Sequence, residues 1–441
     1  MANIIIELSK YFIIIFMAIY TFECFSVFRY SDEESRNGIY IRQNVFMFLI
    51  HFISFAALCL EMKDGRLILF YAIQQIMLFG VIMLYRVIYP NANRLIINNM
   101  CMLLTIGFII LTRLSYDKAV KQFIIAVVSL AVTMCIPFIL KKFRYFDKFA
   151  WLFAIAGIAA LGIVMLFSNV VNGSKLNIKI ANYTFQPSEF VKIIFVFAIA
   201  GILYHSTNFK QVVLSAAVAG VHVIILVLSK DLGSAVIFFV VYFAMLYVAT
   251  KNVGYYLLGG VAGALAAVIG YRLFSHVRVR VAAWRDPIGT IEEAGYQISQ
   301  SLFAIGTGSW FGMGLGQGAP NKIPVVEADF IFSAITEEFG VIFGLCLILV
   351  CVSCFVMFMN ISMRFKNTFY KLVAVGLAVI YGFQVFLTIG GVTKFIPLTG
   401  VTLPLVSYGG SSVIVSLIMF AIIQGLYITV RDDAWTKHKK R

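Results

Sequence analysis

Charge is scarce in this chain. Asp, Glu, Lys and Arg make up 12% of its 441 residues while hydrophobic types make up 61%, and the mean hydropathy is +0.95. A soluble globule carries about a quarter charged residues, so that class is excluded and the chain belongs in a bilayer. Cysteine is also sparse. Cys24, Cys59, Cys101, Cys135, Cys346, Cys351 and Cys354 all lie in apolar stretches, without a CxxC repeat or Cys/His ligand spacing, which argues against disulfides and a metal site. The histidines (His51, His205, His222, His276 and His438) are scattered and receive no role. The net charge is +15, yet no basic run is long enough to form a phosphate-binding face, so no nucleic-acid partner is expected. Cationic loops on the cytoplasmic side explain the balance better. A cleavable signal peptide is not expected either, because the first apolar run continues to about Phe28 and carries Glu7, Lys10 and Glu23.

What is present is a series of long apolar runs, at about 4–28, 44–61, 67–89, 98–113, 122–140, 149–168, 189–205, 211–228, 232–250, 254–275, 329–358, 370–392 and 405–430. Each approaches the roughly 20 residues a membrane helix needs, and all far exceed the roughly ten of a barrel strand. The expectation is an all-α polytopic membrane protein with about thirteen spans. The most basic connections are Lys141, Lys142, Arg144 and Lys148, then Arg364, Lys366 and Lys371, then the tail Arg431, Lys437, Lys439, Lys440 and Arg441. With thirteen spans they share one side, expected to be cytoplasmic. The long segments 169–188 and 276–328 then lie outside, and both read as non-helical. A stretch as long as the second, inside a compact bundle, is usually functional.

Segment 276–328 carries most of the chemistry. Asp286 stands between Arg285 and Pro287, with Arg278 and Arg280 upstream. It reads either as a solvated Asp-Pro turn or as a carboxylate poised beside a cationic pocket. The glycines Gly306, Gly308, Gly312, Gly314, Gly316 and Gly318 contain a GxG, but no strand precedes it, so a dinucleotide fingerprint is rejected. With Trp310, Phe311, Met313 and Leu315 between them, they suggest a loop or re-entrant segment near the membrane surface. Glu189, Lys192, Asp231, Glu337 and Glu338 sit within or beside apolar runs. Charges there mark a functional path or a buried partner, and Glu189 and Lys192, three residues apart, could simply pair.

The segments FQPSEFVK (185–192), KDLGSA (230–235), WRDP (284–287), GYQISQSLFAIGTGSWFGMGLGQG (295–318), DFIFSAITEEFG (329–340) and PLTGVTLPLVSYGGSS (397–412) come in the order of the SEDS family. From about Asn98 to Tyr427 the chain resembles these peptidoglycan glycosyltransferases (RodA, FtsW and SpoVE), most of all Gram-positive RodA-type members. The resemblance implies a ten-span core over 98–430, a three-span extension over 1–97 and a basic cytoplasmic tail over 431–441. It also implies a multi-pass protein of the cytoplasmic membrane, serving elongation, division or sporulation, that polymerises lipid II at the outer face with a class B penicillin-binding protein as partner. The family's essential aspartate falls on Asp286, its Gln-Pro-Ser-Glu motif and trailing lysine on Gln186, Pro187, Ser188, Glu189 and Lys192, and its inter-span aspartate on Asp231. The chain departs from the family at Ser229-Lys230, where Gln-Pro is usual, and at Lys121 and Thr184, where arginine occurs.

Lipid II polymerisation attacks an anomeric carbon whose leaving group is a pyrophosphate. One carboxylate as general base, contributing on the order of 10² to 10⁴ in rate, plus cations for the departing charge is the expected inventory: Asp286 with inversion, and Lys192, Lys121, Arg278 and Arg280 around the pyrophosphate. Gln186, Glu189 and Asp231 complete the expected substrate site. No cofactor is required by the sequence, although a divalent cation, Mg or Mn, bridging Asp286 or Asp231 to the phosphates fits the preference of hard cations for oxygen. The alternatives are a lipid II flippase, which the buried charges suit, and a non-catalytic scaffold for the penicillin-binding protein.

Overall fold

The computed structural model describes residues 2–30, 32–143, 145–167, 178–180 and 183–439. Arg144, Lys440, Arg441, most of 169–188 and the side chains of Thr184, Lys437 and Lys439 fall outside the described residues. The helices are α1 (Ala2–Ser26), α2 (Glu33–Met62), α3 (Arg66–Ile88), α4 (Arg94–Leu114), α5 (Tyr116–Thr133), α6 (Ile136–Lys142) and α7 (Ala150–Phe167). A short antiparallel hairpin follows, β1 (Ile178–Ile180) and β2 (Tyr183–Phe185). The chain continues through α8 (Pro187–His205), α9 (Phe209–Leu228), α10 (Leu232–Thr250), α11 (Val253–Leu273), α12 (Ser275–Arg285), α13 (Tyr296–Gly308), α14 (Ile331–Met363), α15 (Thr368–Val392) and α16 (Gly410–Lys439).

Among the described residues, thirteen helical segments are long and apolar enough to cross a membrane, with α5 and α6 forming one of them. The all-α, thirteen-span expectation holds. The expectation that 276–328 is non-helical does not, because it contains α12 and α13. The sequence of α12, SHVRVRVAAWR, is too polar for a span but forms an amphipathic surface helix.

α4 is the axis of the bundle, buried on every side from Leu95 to Thr112. Its polar side chains join neighbours that have no hydrophobic reason to associate within lipid. Asn99 Oδ1 accepts from Tyr20 of α1 at 3.0 Å, Asn99 Nδ2 donates to Ser353 of α14 at 3.0 Å, and Asn98 donates to Gln43 of α2 at 2.9 Å. The first three helices are thus packed into the bundle.

The two ends of the bundle are distinguishable. At one, Lys141 pairs with Asp432 at 2.6 Å, Arg431 pairs with Glu33, and Arg364 lies over the Tyr427 ring. The basic connections therefore share a side, as the span parity requires. At the other, Lys118 pairs with Glu327, Lys10 donates to the Gly312 carbonyl, and Arg113 pairs with Glu338 at 3.0 Å.

α14 is broken at Gly340, whose φ of 87° and ψ of 164° lie outside the helical region. The glycine segment after α13 repairs the break. Met313 and Gly314 donate to the carbonyls of Glu337 and Glu338, while Val341 and Ile342 donate to those of Ser309 and Trp310. Only glycine fits at two of these points. A Cβ at Gly340 would meet the Trp310 oxygen at 2.4 Å, and one at Gly312, with φ of 77°, the Glu338 oxygen at 2.3 Å. The re-entrant reading of this segment is thereby given its physical content. Arg113 secures it from α4, donating to Glu338 and to the carbonyls of Gly316 and Gly318.

Removing one partner of this buried pair strands the other. Glu338→Ala and Arg113→Ala are each expected to cost about 3 kcal/mol or more, read as a lower thermal midpoint of the purified protein. The double variant should lose clearly less than the sum, and additive losses would show that the two groups are not coupled.

Candidate functional site

At the end of the bundle that carries α12 and α13, the ends of α8, α10, α12 and α14 converge on the segment 397–412. Pro187 opens α8, where a missing N–H costs nothing, and this sets Ser188 and Glu189 in the first turn. Asp231 caps α10: its Oδ1 accepts from Ser234 N at 3.0 Å and its Oδ2 from the Ser188 hydroxyl at 2.9 Å. Gln186 donates to Ser188 Oγ through its side chain, at 3.1 Å, and to Ser411 Oγ through its backbone, at 2.9 Å. Gln186, Ser188 and Asp231 are therefore one hydrogen-bonded chain tied to the start of α16.

Lys192 and Glu189 pair, as their spacing allowed. Lys192 is almost fully buried, with Nζ at 2.8 and 2.9 Å from the Glu189 oxygens and at 2.9 Å from Gln384 Oε1. Its three donors are thus all engaged. Gln384 continues to the Thr402 carbonyl, and Thr402 to Ser412, so a second polar chain also ends on 397–412.

α12 lies across this platform. Trp284 donates to the Lys394 carbonyl at 3.1 Å and Arg280 to the Thr399 carbonyl at 3.2 Å. These residues are four apart and share a helix face. Asp231 and Asp329 both lie close enough to Arg280 to stabilise its charge, against the burial that lowers its pKa. Asp286 is the C-terminal cap of α12, exposed and six residues beyond Arg280, about 9 Å of helix rise. Its Oδ1 accepts from Gly289 N at 2.8 Å, and among the described residues Oδ2 has no hydrogen-bond partner. The turn fixes one oxygen and leaves the other open.

Two expected cations stand apart. Arg278 is exposed and donates to the Arg272 carbonyl at 2.7 Å. Lys121 is exposed on α5, beside Gln122, which bonds the Ser407 carbonyl and the Gly409 N–H. Among the described residues no three of His, Cys, Asp and Glu gather as a metal centre.

Sequence reasoning missed two members. Asp329 opens the DFIFSAITEEFG segment, and burial raises its carboxyl to about 6 despite Arg280. His276 is pushed down, first by burial and then by Arg280 and Lys230, and its Nε2 has no partner. The signal for Asp329 was its place at the head of an apolar run. His276 offered none, because only the fold brings Lys230 up to it beside Arg280, its neighbour one turn along α12.

A family model described as Cell cycle protein, FTSW_RODA_SPOVE, matches residues 93–431. The chain is 28% identical over 381 residues to peptidoglycan glycosyltransferase RodA of Mycobacterium tuberculosis, covering 80% of this chain and 81% of that protein. It is 32% identical over 266 residues to Stage V sporulation protein E of Bacillus subtilis, covering 58% and 71%. A solved chain from a study of how a peptidoglycan synthase complex coordinates polymerization and crosslinking superposes with a TM-score of 0.66 at 24% identity, over 77% of this chain and 98% of that one. Rod shape determining protein RodA of Thermus thermophilus follows at 0.55 and 21%, over 76% and 96%.

Asp329 yields a pH test. With its folded value raised from 3.8 to about 6, the folded protein holds a proton that the unfolded chain has lost between those values. Its contribution to stability is therefore most favourable below about pH 4 and declines as pH rises through 6. Asp329→Asn removes this dependence, so the melting temperature of the variant minus that of the parent should increase from pH 4 to pH 7. A flat difference would contradict the assignment.

Proposed function

The chain belongs to the FtsW–RodA–SpoVE family and is a peptidoglycan glycosyltransferase, and on that premise we propose that it polymerises lipid II at the outer face of the cytoplasmic membrane with Asp286 as general base. The observation that carries the reading is the arrangement of α12. One end bears a carboxylate with an open oxygen, and the face turned to the bundle bears Arg280 above Asp231 and Asp329.

Asp286 Oδ2 takes the proton from the 4-hydroxyl of the acceptor N-acetylglucosamine as that oxygen attacks the anomeric carbon of the donor's muramyl sugar, with inversion. A hydroxyl is a weak nucleophile near pH 7, so a positioned base acts directly on the barrier. The bond to pyrophosphate breaks at the same carbon, and its charge needs cations rather than the second carboxylic acid of a glycosidase. Arg280 is the cation nearest this platform, with Lys121 and Arg278 at its margins. Lys192 contributes when pyrophosphate displaces Gln384 or one Glu189 oxygen. Gln186 and Asp231 hold the floor in register through Ser188 and Ser411, and Glu189 does so through Lys192. A divalent cation, Mg or Mn, carried by the pyrophosphate would draw its ligands chiefly from phosphate and water and would neutralise the departing charge, with Asp231 or Asp286 as the nearby carboxylates. The undecaprenyl tails stay in lipid between the spans. The reading extends to a class B penicillin-binding protein as membrane partner, on the strength of the family resemblance.

Purified protein with lipid II in detergent separates this reading from a flippase, because nothing needs crossing there and polymer requires an enzyme. Asp286→Asn should lower the rate by on the order of 10² to 10⁴ with unchanged melting behaviour, and undiminished polymer would remove Asp286 as the base. In the same assay Lys192→Ala should raise KM for lipid II. An unchanged KM would reduce Lys192 to the partner of Glu189.

A further inference from the structure

At the opposite end of the bundle, where α2 and α4 begin and α16 leaves its membrane span, lies a cavity of about 150 Å³. Arg36, Arg94 and Arg431 line it together with Tyr40, Tyr427 and a single carboxylate, Glu33. Glu33 is already paired with Arg431. Arg94 donates to the Asn37 side chain at 2.6 Å and Arg36 to the Tyr30 carbonyl at 2.7 Å, with the Asp32 carboxylate acting on Arg36 from outside the lining. The nearby Asp432 is taken by Lys141 and Asn91. The lining thus carries three guanidinium groups against one carboxylate, a local surplus of positive charge that an anion would offset.

The Tyr40 side chain gives an independent sign. Tyr40 is 9% exposed, and its hydroxyl has no hydrogen-bond partner among the described residues. Arg36, Arg94, Arg431 and Tyr427 are the charged and phenolic groups that act on it. An unpartnered hydroxyl beside three guanidinium groups is a donor available to an oxyanion, and guanidinium forks match phosphate oxygens in geometry.

We propose that this cavity is a binding site for a phosphate-bearing anion, the headgroup of an anionic phospholipid or a free phosphate, that bridges the N-terminal helices to the end of α16. The cavity opens at the level where α2 and α4 enter and α16 exits the apolar layer, which is where headgroup phosphates lie. It is on the side carrying the basic connections, and basic pockets between membrane helices on a cytoplasmic face suit such headgroups. The site does not exist in the core alone. Glu33, Arg36 and Tyr40 come from α2, Arg94 from α4, and Tyr427 and Arg431 from α16. Bound phosphate would therefore pin residues 1–97 to the core, and the site owes nothing to the chemistry around Asp286.

The test uses the full-length protein in non-ionic detergent, titrated in separate arms with phosphatidylglycerol, phosphatidylcholine and inorganic phosphate, with binding followed by native mass spectrometry and by thermal shift. Binding of phosphatidylglycerol but not of phosphatidylcholine or inorganic phosphate identifies a lipid headgroup, whereas binding of inorganic phosphate as well identifies the phosphate itself as the ligand. In either case Arg94→Gln combined with Arg431→Gln should weaken binding by about tenfold or more, and Arg94→Lys combined with Arg431→Lys should retain most of it. Should the double glutamine variant fail to fold, Arg36→Gln, at a half-buried position, is read in its place and should also bind more weakly. Wild-type protein that binds neither ligand, or glutamine variants that bind as tightly as wild type, would overturn the proposal.

Discussion

The break in α14 at Gly340 and its repair by the 309–314 segment set the terms for the rest of the structure. Inside a membrane bundle an unsatisfied peptide group costs several kcal/mol, so a broken helix survives only if other backbone completes it. Here two carbonyls and two N–H groups that would have bonded each other within α14 are each met by the glycine segment. Arg113 and Glu338 lock that segment to the bundle axis. The direction of the first part of α14 then follows from the repair, and with it the position of Asp329, two residues before the helix, beside Arg280.

The site grows from the same economy of charge. Each buried ionic group has a fixed partner: Lys192 has Glu189 and Gln384, and Asp231 has Ser188 and Ser234. These contacts consume the donors and acceptors of Lys192 and Asp231, while Asp286 Oδ2 at the surface and His276 Nε2 and Thr399 Oγ1 beneath it stay without partners among the described residues. A floor in which Lys192 and Asp231 are held by fixed partners, beneath an amphipathic helix with free polar atoms, is suited to positioning a charged substrate without reorganisation. α11 contributes differently. Nearly all its residues are exposed, with Gly259 and Gly263 set against Phe243 and Phe239 of α10, so it stands at the rim and delivers α12 across the platform.

Much of this was legible from residue types. The thirteen runs became thirteen spans because length and apolarity alone decide whether a segment can cross. Asp231, Gln186, Glu189 and Lys192 sit within a few residues of helix starts, where short-range spacing already forces capping and pairing. The helices α12 and α13 were illegible because their apolar density falls below that of a span and the glycines that follow resemble an open loop. Asp329 and His276 escaped notice because each meets a group from a distant segment, Arg280 for Asp329 and Lys230 for His276.

The sequence by itself determined the membrane setting, the number of spans and the shared side of the basic connections, since each depends on composition over a window that the chain carries locally. It also determined that Asp286 stands on a turn, since Pro287 follows it. Only the tertiary structure decided that Lys192 is saturated while Arg280 is held over two carboxylates, and that three arginines from α2, α4 and α16 share one cavity. The physical reason is the same in each case. The state of a charge depends on what surrounds it in space, and those surroundings include residues 40 to more than 300 positions away in the chain.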